Sequence, residues 1–153
     1  MILRKAKFSD VEAIYALIND YADKGLMLAR SRNTLYESLR EFTLAEENGV
    51  IVGVGALHTC WDELGEIRAL AVAPSMARTG IGRMIVEKLT EEALAIGVVT
   101  LYALTYQPGF FAKLGFVEKP KETLSHKVWK ECINCAKFPN CDEIAMVKIL
   151  PNS

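Results

Sequence analysis

The chain has 153 residues, of which 51% are apolar and 24% charged, and its 18 lysines and arginines nearly balance 19 aspartates and glutamates. A chain of this length and composition can bury a hydrophobic core without disulfide bonds, which excludes disordered and fibrous classes. The formal net charge of −1 provides no overall field that would attract nucleic acid or an anionic membrane. We therefore expect neither as a partner, and an anion would have to bind at a local site.

The sequence shows no pattern typical of a targeting signal or a membrane span. Residues Met1 to Lys5 carry charges where a secretory signal needs a long apolar stretch. The uncharged run from Ala93 to Ala112 is broken by Gly97 and by Gln107-Pro108-Gly109. We expect a cytoplasmic protein. Because no repeat or linker divides the chain, residues 1–153 are predicted to form a single domain.

The first third of the chain predicts one strand and two helices. Ile2 to Ala6 is a candidate strand, and Ser9 with Glu12 forms a capping-box pattern at the start of a helix over 10–23. Gly25 suits the end of that helix. A short second helix is predicted by apolar residues at helical spacing, which are Leu35, Leu39 and Phe42.

The rest of the chain alternates strands with helices. Asn48-Gly49 predicts a hairpin between the strands Thr43 to Glu47 and Val50 to Thr59. A central strand is predicted over 66–72, with one face formed by Glu66, Arg68, Leu70 and Val72. A third helix opens at Gly80 and presents an apolar stripe of Ile81, Ile85, Leu89, Ala93 and Ile96. The last predicted elements are a strand from Val98 to Leu104, a helix from Gly109 to Leu114 and a strand from Ile144 to Leu150. This order predicts an α/β (α+β) fold with a mixed sheet.

The glycine-containing turn between the central strand and the third helix is a candidate anion site. Backbone N–H groups converge at a helix start, where the helix dipole is positive. The first helical turn contains no acid before Glu87, so a bound anion could provide the negative charge, with Arg78 and Arg83 as flanking cations. A tight turn with solvated arginines is the alternative. Neither the Walker nor the Rossmann phosphate motif is present.

Three motifs stand out in the chain: the string GEIRALAVAP, the helix start Gly80-Ile81-Gly82 and the segment Phe111-Ala112-Lys113-Leu114-Gly115-Phe116. Together they resemble the GNAT superfamily of acyl-CoA-dependent N-acetyltransferases. The resemblance spans most of the chain and implies a mostly antiparallel central sheet flanked by helices. It also implies an acetyl-CoA cosubstrate, with pantetheine bound by the backbone of Leu70, Ala71 and Val72 and pyrophosphate bound by Arg78, Thr79, Gly80, Ile81, Gly82 and Arg83. Pairing of open sheets in this superfamily makes a homodimer an expectation.

Two positions depart from the superfamily pattern. Ala77 stands where the pyrophosphate motif usually begins with Gln or Arg, and Arg78 is the candidate to compensate. Phe111 stands where a tyrosine often protonates the departing thiolate.

The chain is further similar to the N-acetylglutamate synthase branch and its short single-domain relatives, through residues 25–32, Leu64-Gly65-Glu66-Ile67 and Phe111. This similarity implies that the acceptor is the α-amino group of a free amino acid, with L-glutamate first and arginine biosynthesis as the setting. Because arginine binds a carboxylate through two parallel hydrogen bonds, Arg30, Ser31 and Arg32 are the candidate acceptor site. Solvated loop charges are the alternative for these arginines.

The candidate base is Glu66, since an ammonium acceptor must lose a proton before it attacks a thioester. A structural carboxylate paired with Arg68 is the alternative for Glu66. Thr105 is a candidate hydrogen-bond donor to the thiolate, with a turn role as its alternative, and Tyr106 is a weaker substitute acid.

The cysteines predict either thiols or a metal site. Cys132-x-x-Cys135 followed by Cys141 has metal-like spacing, but a closed zinc site needs a fourth ligand, for which Cys60, His126 or Asp142 is available. Packed thiols remain the favoured interpretation. His58 is interpreted as a core or edge residue of its strand.

Two other functions stay open at the level of the sequence. One is acetylation of another small amine or amino acid, such as glutamine. The other is a non-catalytic acyl-CoA-binding regulatory domain, which the phenylalanine at position 111 keeps open.

Overall fold

The computed structural model describes residues 1–123 and 143–151, which form a seven-stranded sheet with helices on both faces. The strands follow the spatial order β1-β2-β3-β4-β5-β7-β6, in which β4 and β5 pair in parallel and the other described pairs are antiparallel. This arrangement confirms the expected mixed, mostly antiparallel sheet. The strands are β1 Ile2–Lys5, β2 Phe42–Glu47, β3 Val50–Trp61, β4 Leu64–Val72, β5 Thr100–Thr105, β6 Val117–Lys119 and β7 Ile144–Ile149.

Two separate hydrophobic clusters hold helices against the two faces of the sheet. The described helices are α1 Val11–Asp23, α2 Arg32–Glu37, α3 Ile81–Ala95 and α4 Pro108–Ala112. One cluster joins α1 and α2 to the sheet, and the other joins α3 and α4 to the opposite face. Among the described residues, no helix combines the length and the apolar character that crossing a membrane requires.

The start of α1 differs from the capping box expected at Ser9. The carboxylate of Asp10 accepts hydrogen bonds from the Lys7 backbone N–H at 2.7 Å and from the Arg4 guanidinium at 2.8 and 2.9 Å. The hydrogen bonds from Arg4 lower the pKa of Asp10 from its usual value. Ser9 was therefore the wrong cap, because a cation on β1 anchors the turn through the next residue in the chain.

Two boundaries also differ from the sequence prediction. Phe42 begins β2 instead of extending the second helix, because α2 ends at Glu37 and a single 3₁₀ turn, Leu39–Glu41, leads into the strand. Ile96 is 58% exposed, since α3 ends one residue before it. The hairpin is confirmed: Asn48 and Gly49 have φ angles of 51° and 80°, as a tight two-residue turn between twisted strands requires.

A β-bulge divides β4 into two halves. Ala56 on β3 pairs with Arg68, and Val54 pairs with Ala71, so β4 uses one residue more than β3 over this stretch. Ala69 has a φ of 53°, in the left-handed region that a bulge of this kind employs.

The bulge reverses which residues of β4 share a face. Ile67 before the bulge and Leu70 and Val72 after it all pack in the cluster beneath α3. Since side chains alternate along a strand, Glu66 and Arg68 point to the opposite face, toward α1. The prediction that Glu66, Arg68, Leu70 and Val72 share one face was therefore wrong, because simple alternation does not survive the extra residue.

Two glycines on β3 allow α3 to pack closely against the sheet. A Cβ atom at Gly53 would lie 2.8 Å from Ile81 Cγ2, and one at Gly55 would lie 2.7 Å from Ile85 Cγ2. Both methyl groups belong to β-branched side chains with little rotational freedom. The glycines therefore set the distance between the sheet and the start of α3.

We expect Gly55→Ala to lower the free energy of unfolding by about 1–3 kcal/mol, because the added methyl group overpacks the interface with α3. Denaturant unfolding of both proteins measures the difference. Gly109→Ala is the matched control, since a Cβ there meets no atom within 4 Å and needs no left-handed backbone. An equal loss in the two variants would contradict the close packing at β3.

Candidate active site

A cleft opens where β4 and β5 separate. The two strands pair only from Leu64 to Glu66, which lie opposite Thr100 to Tyr102, although β5 continues to Thr105. Beyond this point the edge of β4 that faces β5 has no neighbouring strand among the described residues. The resulting cavity has a volume of about 1220 Å³, and it is lined by β4, β5, the loop after α1 and the start of α3.

The open edge of β4 presents backbone groups to this cleft. Ala73 N–H donates to Val52 O at 2.8 Å, so by the alternation of an antiparallel ladder the N–H and C=O of Val72 face away from β3. The Val72 carbonyl accepts a hydrogen bond from the Tyr21 hydroxyl at 2.7 Å, which agrees with that direction. Leu70 and Val72 line the cleft, whereas Ala71 lies buried on the face that packs against α1.

The turn before α3 presents a run of backbone N–H donors. Within the described part of the chain, no backbone carbonyl accepts a hydrogen bond from the N–H groups of six successive residues. Arg78 and Gly80 take left-handed conformations, with φ of 64° and 89°, which turn the chain into the helix. The six residues are Arg78, Thr79, Gly80, Ile81, Gly82 and Arg83. A helix start with such donors binds anions readily.

The two flanking arginines of this turn differ in their surroundings. Arg83 forms an exposed ion pair with Glu87, one helical turn further on, at 2.9 Å. Arg78 is exposed, and none of the described residues forms an ion pair with it. Thr79 closes the turn by donating its hydroxyl to Met76 O at 2.6 Å. The structure therefore brings five of the six predicted residues to one end of the cleft, and Thr79 is the one that does not line it.

Glu66 lies at the other end, almost fully buried. It is 8% exposed, and its Oε1 atom accepts hydrogen bonds from Arg68 Nε at 2.6 Å and from the Tyr102 hydroxyl at 3.1 Å. The pairing with Arg68 is the alternative that the sequence left open. Glu66 also lines the cleft, so the ion pair and a chemical role are compatible.

Arg30 lies close to this carboxylate. The side chain is half-buried and lines the cleft. Burial lowers the pKa of Arg30 from its usual value and the charge of Arg68 lowers it further, whereas Glu66 and Glu41 act in the opposite direction. No residue that the structure describes forms an ion pair with Arg30. A half-buried guanidinium of this kind favours binding of an anionic group.

The neighbours of Arg30 in sequence have different positions. Arg32 lies outside the cleft, because its Nε pairs with Glu12 at 2.8 Å and its guanidinium stacks on the Tyr15 ring at 4.0 Å. The structure therefore does not bring Arg32 to the other predicted acceptor residues. Ser31 lines the cleft, and its hydroxyl caps α2 by accepting from the Thr34 N–H at 3.1 Å.

The residues considered as proton donors to the departing thiolate lie at the end of β5 and directly after it. Thr105 Oγ1 accepts a hydrogen bond from the Gln107 N–H at 2.8 Å, which is the turn role left open by the sequence, and its own proton can still be donated. Tyr106 also lines the cleft. Phe111 is 4% exposed and packs edge-on against Phe116 with ring centroids 5.2 Å apart. The position of the usual tyrosine is thus a packing position here.

Sequence reasoning did not assign a site role to Arg68, Tyr102 or Tyr21. Arg68 was considered only as an ion-pair partner of Glu66. Tyr102 and Tyr21 carry no local signal, because their hydroxyls meet Glu66 and Val72 across 36 and 51 residues of sequence. Only the pairing of strands and the packing of α1 bring them to the cleft.

The metal prediction falls largely outside the described residues. Cys132, Cys135, Cys141, His126 and Asp142 all lie there, and of the candidate ligands only Cys60 is described. In the part of the chain that is described, no group of three or more His, Cys, Asp or Glu residues could hold a metal ion. His58 pairs with Glu41 at 2.8 Å at the edge of the core.

The cleft therefore provides three kinds of binding group, one after another along its length. The helix start offers backbone donors for an anion, the open edge of β4 offers backbone hydrogen bonds for an extended chain, and the third region holds a buried carboxylate beside two guanidinium groups. Such an arrangement can hold a long ligand with an anionic end and bring its other end to a proton acceptor.

Solved structures of other proteins share this fold. A Mycobacterium tuberculosis protein in complex with CoA and NLQ has a TM-score of 0.88 and 35% identity, with 99% of this chain and 100% of that chain covered. N-acetylglutamate synthase from Neisseria gonorrhoeae, complexed with CoA and N-acetyl-glutamate, has a TM-score of 0.91 and 29% identity. That match covers 99% of this chain and 35% of the synthase, so this chain corresponds to about a third of that protein.

Sequence comparison leads to the same group of proteins. The chain is 41% identical over 154 residues to an amino-acid acetyltransferase of Mycobacterium tuberculosis, with 99% of this chain and 88% of the relative covered. The family model described as Acetyltransferase (GNAT) family matches residues 11–116, which include α1, the open strand β4, the helix start and β5. These matches confirm the family resemblance, and the chain belongs to the GNAT family of acetyltransferases.

Proposed function

We propose that this protein transfers the acetyl group of acetyl-CoA to the α-amino group of a free amino acid, with L-glutamate as the first candidate. The observation that carries the proposal is the half-buried guanidinium of Arg30 beside the buried Glu66, at the end of the cleft remote from the helix start. The similarity to the amino-acid acetyltransferase of M. tuberculosis and to the N-acetylglutamate synthase of N. gonorrhoeae supports it. With glutamate as acceptor, the reaction would be the first step of arginine biosynthesis. The cytoplasmic location stays a prediction.

Acetyl-CoA would lie along the cleft from the helix start toward Glu66. The pyrophosphate would accept hydrogen bonds from the N–H groups of residues 78–83, where the helix dipole also favours negative charge. The amides of the pantetheine arm would pair with the open edge of β4 beside Leu70 and Val72. This orientation brings the thioester to the region where β4 and β5 separate.

The acceptor would bind between the loop after α1 and the start of β4. Its carboxylate would pair with Arg30, which has no ion pair among the described residues and loses hydration in the cleft. Ser31 lies beside it and can add a hydrogen bond. An amino acid with a second carboxylate gains further from Arg68, which lines the same region. The charge of the region thus favours a dicarboxylic acceptor.

In the chemical step the amine attacks the thioester carbonyl. A proton passes from the acceptor ammonium to the Glu66 carboxylate, directly or through a water molecule, and the neutral amine forms the new C–N bond. In the tetrahedral intermediate the nitrogen loses its extra proton to a water molecule, and the intermediate then collapses with cleavage of the C–S bond. The departing thiolate takes up a proton, for which the hydroxyl groups of Thr105 and Tyr106 are the candidate donors, because Phe111 has none.

We expect thiol release from acetyl-CoA in the presence of L-glutamate, with kcat/KM at least tenfold higher than with L-glutamine or a polyamine. The physical reason is that each charge-assisted carboxylate contact contributes about 1.5–3 kcal/mol. Glutarate, which lacks the amine, is the control and should release no thiol. Tight binding of acetyl-CoA without turnover of any acceptor would instead identify a regulatory domain, and preference for glutamine would redirect the proposal to that amino acid.

We expect Arg30→Ala to raise the KM for glutamate about 10- to 100-fold and to leave the KM for acetyl-CoA within twofold, because only the acceptor carboxylate loses its partner. Arg32→Ala is the matched control. It removes a neighbouring arginine whose partner is Glu12, so both KM values should stay within twofold. Steady-state kinetics with each substrate varied in turn would measure both. Equal effects of the two variants on glutamate would contradict the role of Arg30.

We expect Arg83→Glu to raise the Kd for CoA about tenfold or more, because an acid in the first turn repels a pyrophosphate. Thermal stability should change little, since the gain from the helix dipole offsets the lost ion pair with Glu87 and the new repulsion between the two acids. Lys88→Glu makes the same charge change further along α3, outside the cleft, and should leave the Kd within twofold. Calorimetric titration with CoA would compare the variants. Equal weakening by both would show that general charge, and not the helix start, controls CoA binding.

A further inference from the structure

We propose that Tyr102 is a positioning residue that holds the Glu66 carboxylate in its reactive orientation. The proposal rests on the proposed function, in which Glu66 accepts the proton of the amino group. It assigns a role to a buried hydroxyl on β5 that binds neither acetyl-CoA nor the acceptor in that scheme.

The two hydrogen bonds to Glu66 both end on the same oxygen atom. Arg68 Nε donates to Oε1 from β4 at 2.6 Å, and the Tyr102 hydroxyl donates to Oε1 from β5 at 3.1 Å. Among the described residues, no donor reaches Oε2. The carboxylate is therefore fixed through one oxygen, and the other remains available to accept a proton.

Tyr102 is well placed to fix this orientation because its side chain is held in the core. The side chain is fully buried, and it packs in a cluster with Leu64, Ala145 and Val147. Its β5 position lies directly opposite Glu66 in the parallel pairing, at the last pair before the strands separate. The hydroxyl thus belongs to the rigid side of the cleft, whereas Arg68 lies one residue before the bulge.

The chemistry of the Tyr102 hydroxyl indicates that it acts as a tether, a group that holds the carboxylate in place, and not as a group that transfers protons. Burial, reinforced by the negative charge of Glu66, raises the pKa of Tyr102 far above its usual value. The phenol therefore stays protonated and continues to donate to the carboxylate. The thiol of Cys60 lies 3.1 Å from the same hydroxyl oxygen.

This thiol makes a second mechanism testable, in which protons would pass along Glu66, Tyr102 and Cys60. A tether requires only the hydrogen bond from Tyr102 to Glu66. A proton path would require Cys60 as well. Among the described residues, the charged and titratable groups around the carboxylate are Arg68 on β4, Tyr102 on β5, His58 and Cys60 on β3, and Arg30 on the loop after α1.

The experiment compares Tyr102→Phe, which keeps the buried ring and removes only the hydroxyl, with the wild type. We expect kcat to fall about tenfold while both KM values and the Kd for CoA stay within twofold. We also expect the acid limb of the pH profile of kcat to move to higher pH, because the carboxylate loses a donor that stabilises its charged form. A purely structural role would lower thermal stability and leave the acid limb in place, which would overturn the proposal.

Two further variants sharpen the test. Cys60→Ala should leave kcat within twofold, and a loss equal to that of Tyr102→Phe would overturn the tether in favour of a proton path. In the Glu66→Gln background, Tyr102→Phe should cause no additional loss of kcat, because a residue that acts only through Glu66 has nothing left to position. Additive losses would overturn the proposal.

A separate measurement covers the case in which Tyr102→Phe does not fold. Site-specific replacement of Tyr102 by 3-fluorotyrosine keeps the hydroxyl but makes it a stronger donor, so the acid limb should move to lower pH. An unmoved limb would overturn the proposal. Full activity of Glu66→Gln would overturn the proposed base itself, whereas an inactive Glu66→Gln with an unchanged profile in the Tyr102 variants would overturn only the tether.

Discussion

The bulge in β4 is the constraint on which the site depends. Ala69 adopts φ of 53°, a left-handed conformation that costs a residue with a side chain ~1–3 kcal/mol. The extra residue has two effects. It turns Glu66 and Arg68 toward α1 while Leu70 and Val72 face α3, and it bends the strand, whose second half does not pair with β5. One distortion of the backbone thus accompanies both the open strand edge and the separation of the Glu66 end of the cleft from the face that packs against α3.

Charge is concentrated at the two ends of the cleft, although the chain as a whole is nearly neutral. At one end, six backbone N–H groups lack a backbone acceptor among the described residues, and two exposed arginines flank them. At the other end, Arg30 and Arg68 lie near each other, and the Glu66 carboxylate accepts hydrogen bonds from Arg68 and Tyr102. Holding two guanidinium groups together in partial burial is unfavourable, and an acceptor carboxylate would offset that cost. The site is therefore suited to anions at both ends while the protein surface carries little net charge.

The replacement of the usual tyrosine by Phe111 changes how the cleft wall is built. Phe111 joins Phe110 and Phe116 in edge-on contacts that support α4 against the sheet. Phe110 in turn lies next to Gly82, where a Cβ would approach its ring to 3.2 Å. The aromatic cluster thus packs against the start of α3 and supports it. Hydroxyl groups near the thioester would come from β5 and the residues after it, which include Thr105 and Tyr106.

Local patterns in the sequence predicted most of the elements and one end of the site. Features that depend on interactions within a few residues can be predicted from the sequence. They are the Asn48-Gly49 turn, the apolar stripe of α3 and the glycine-containing start of that helix. The resemblance of the motifs pointed to the family and to Glu66 and Arg30. Arg30 and Arg32 could not be told apart, because both flank Ser31 in the same loop.

Contacts between distant segments decided the rest. Arg4 replaced Ser9 as the anchor of α1, and Glu12 drew Arg32 away from the cleft. The faces of β4 depended on the bulge, which strand pairing reveals and alternation of residue types does not. The sequence by itself determined most of the elements, although not β6, and the glycine-containing start of α3, since these follow from local spacing, and the resemblance of its motifs indicated the family. The tertiary structure alone decided which side chains meet Glu66, because Tyr102 reaches it only through the pairing of β4 with β5.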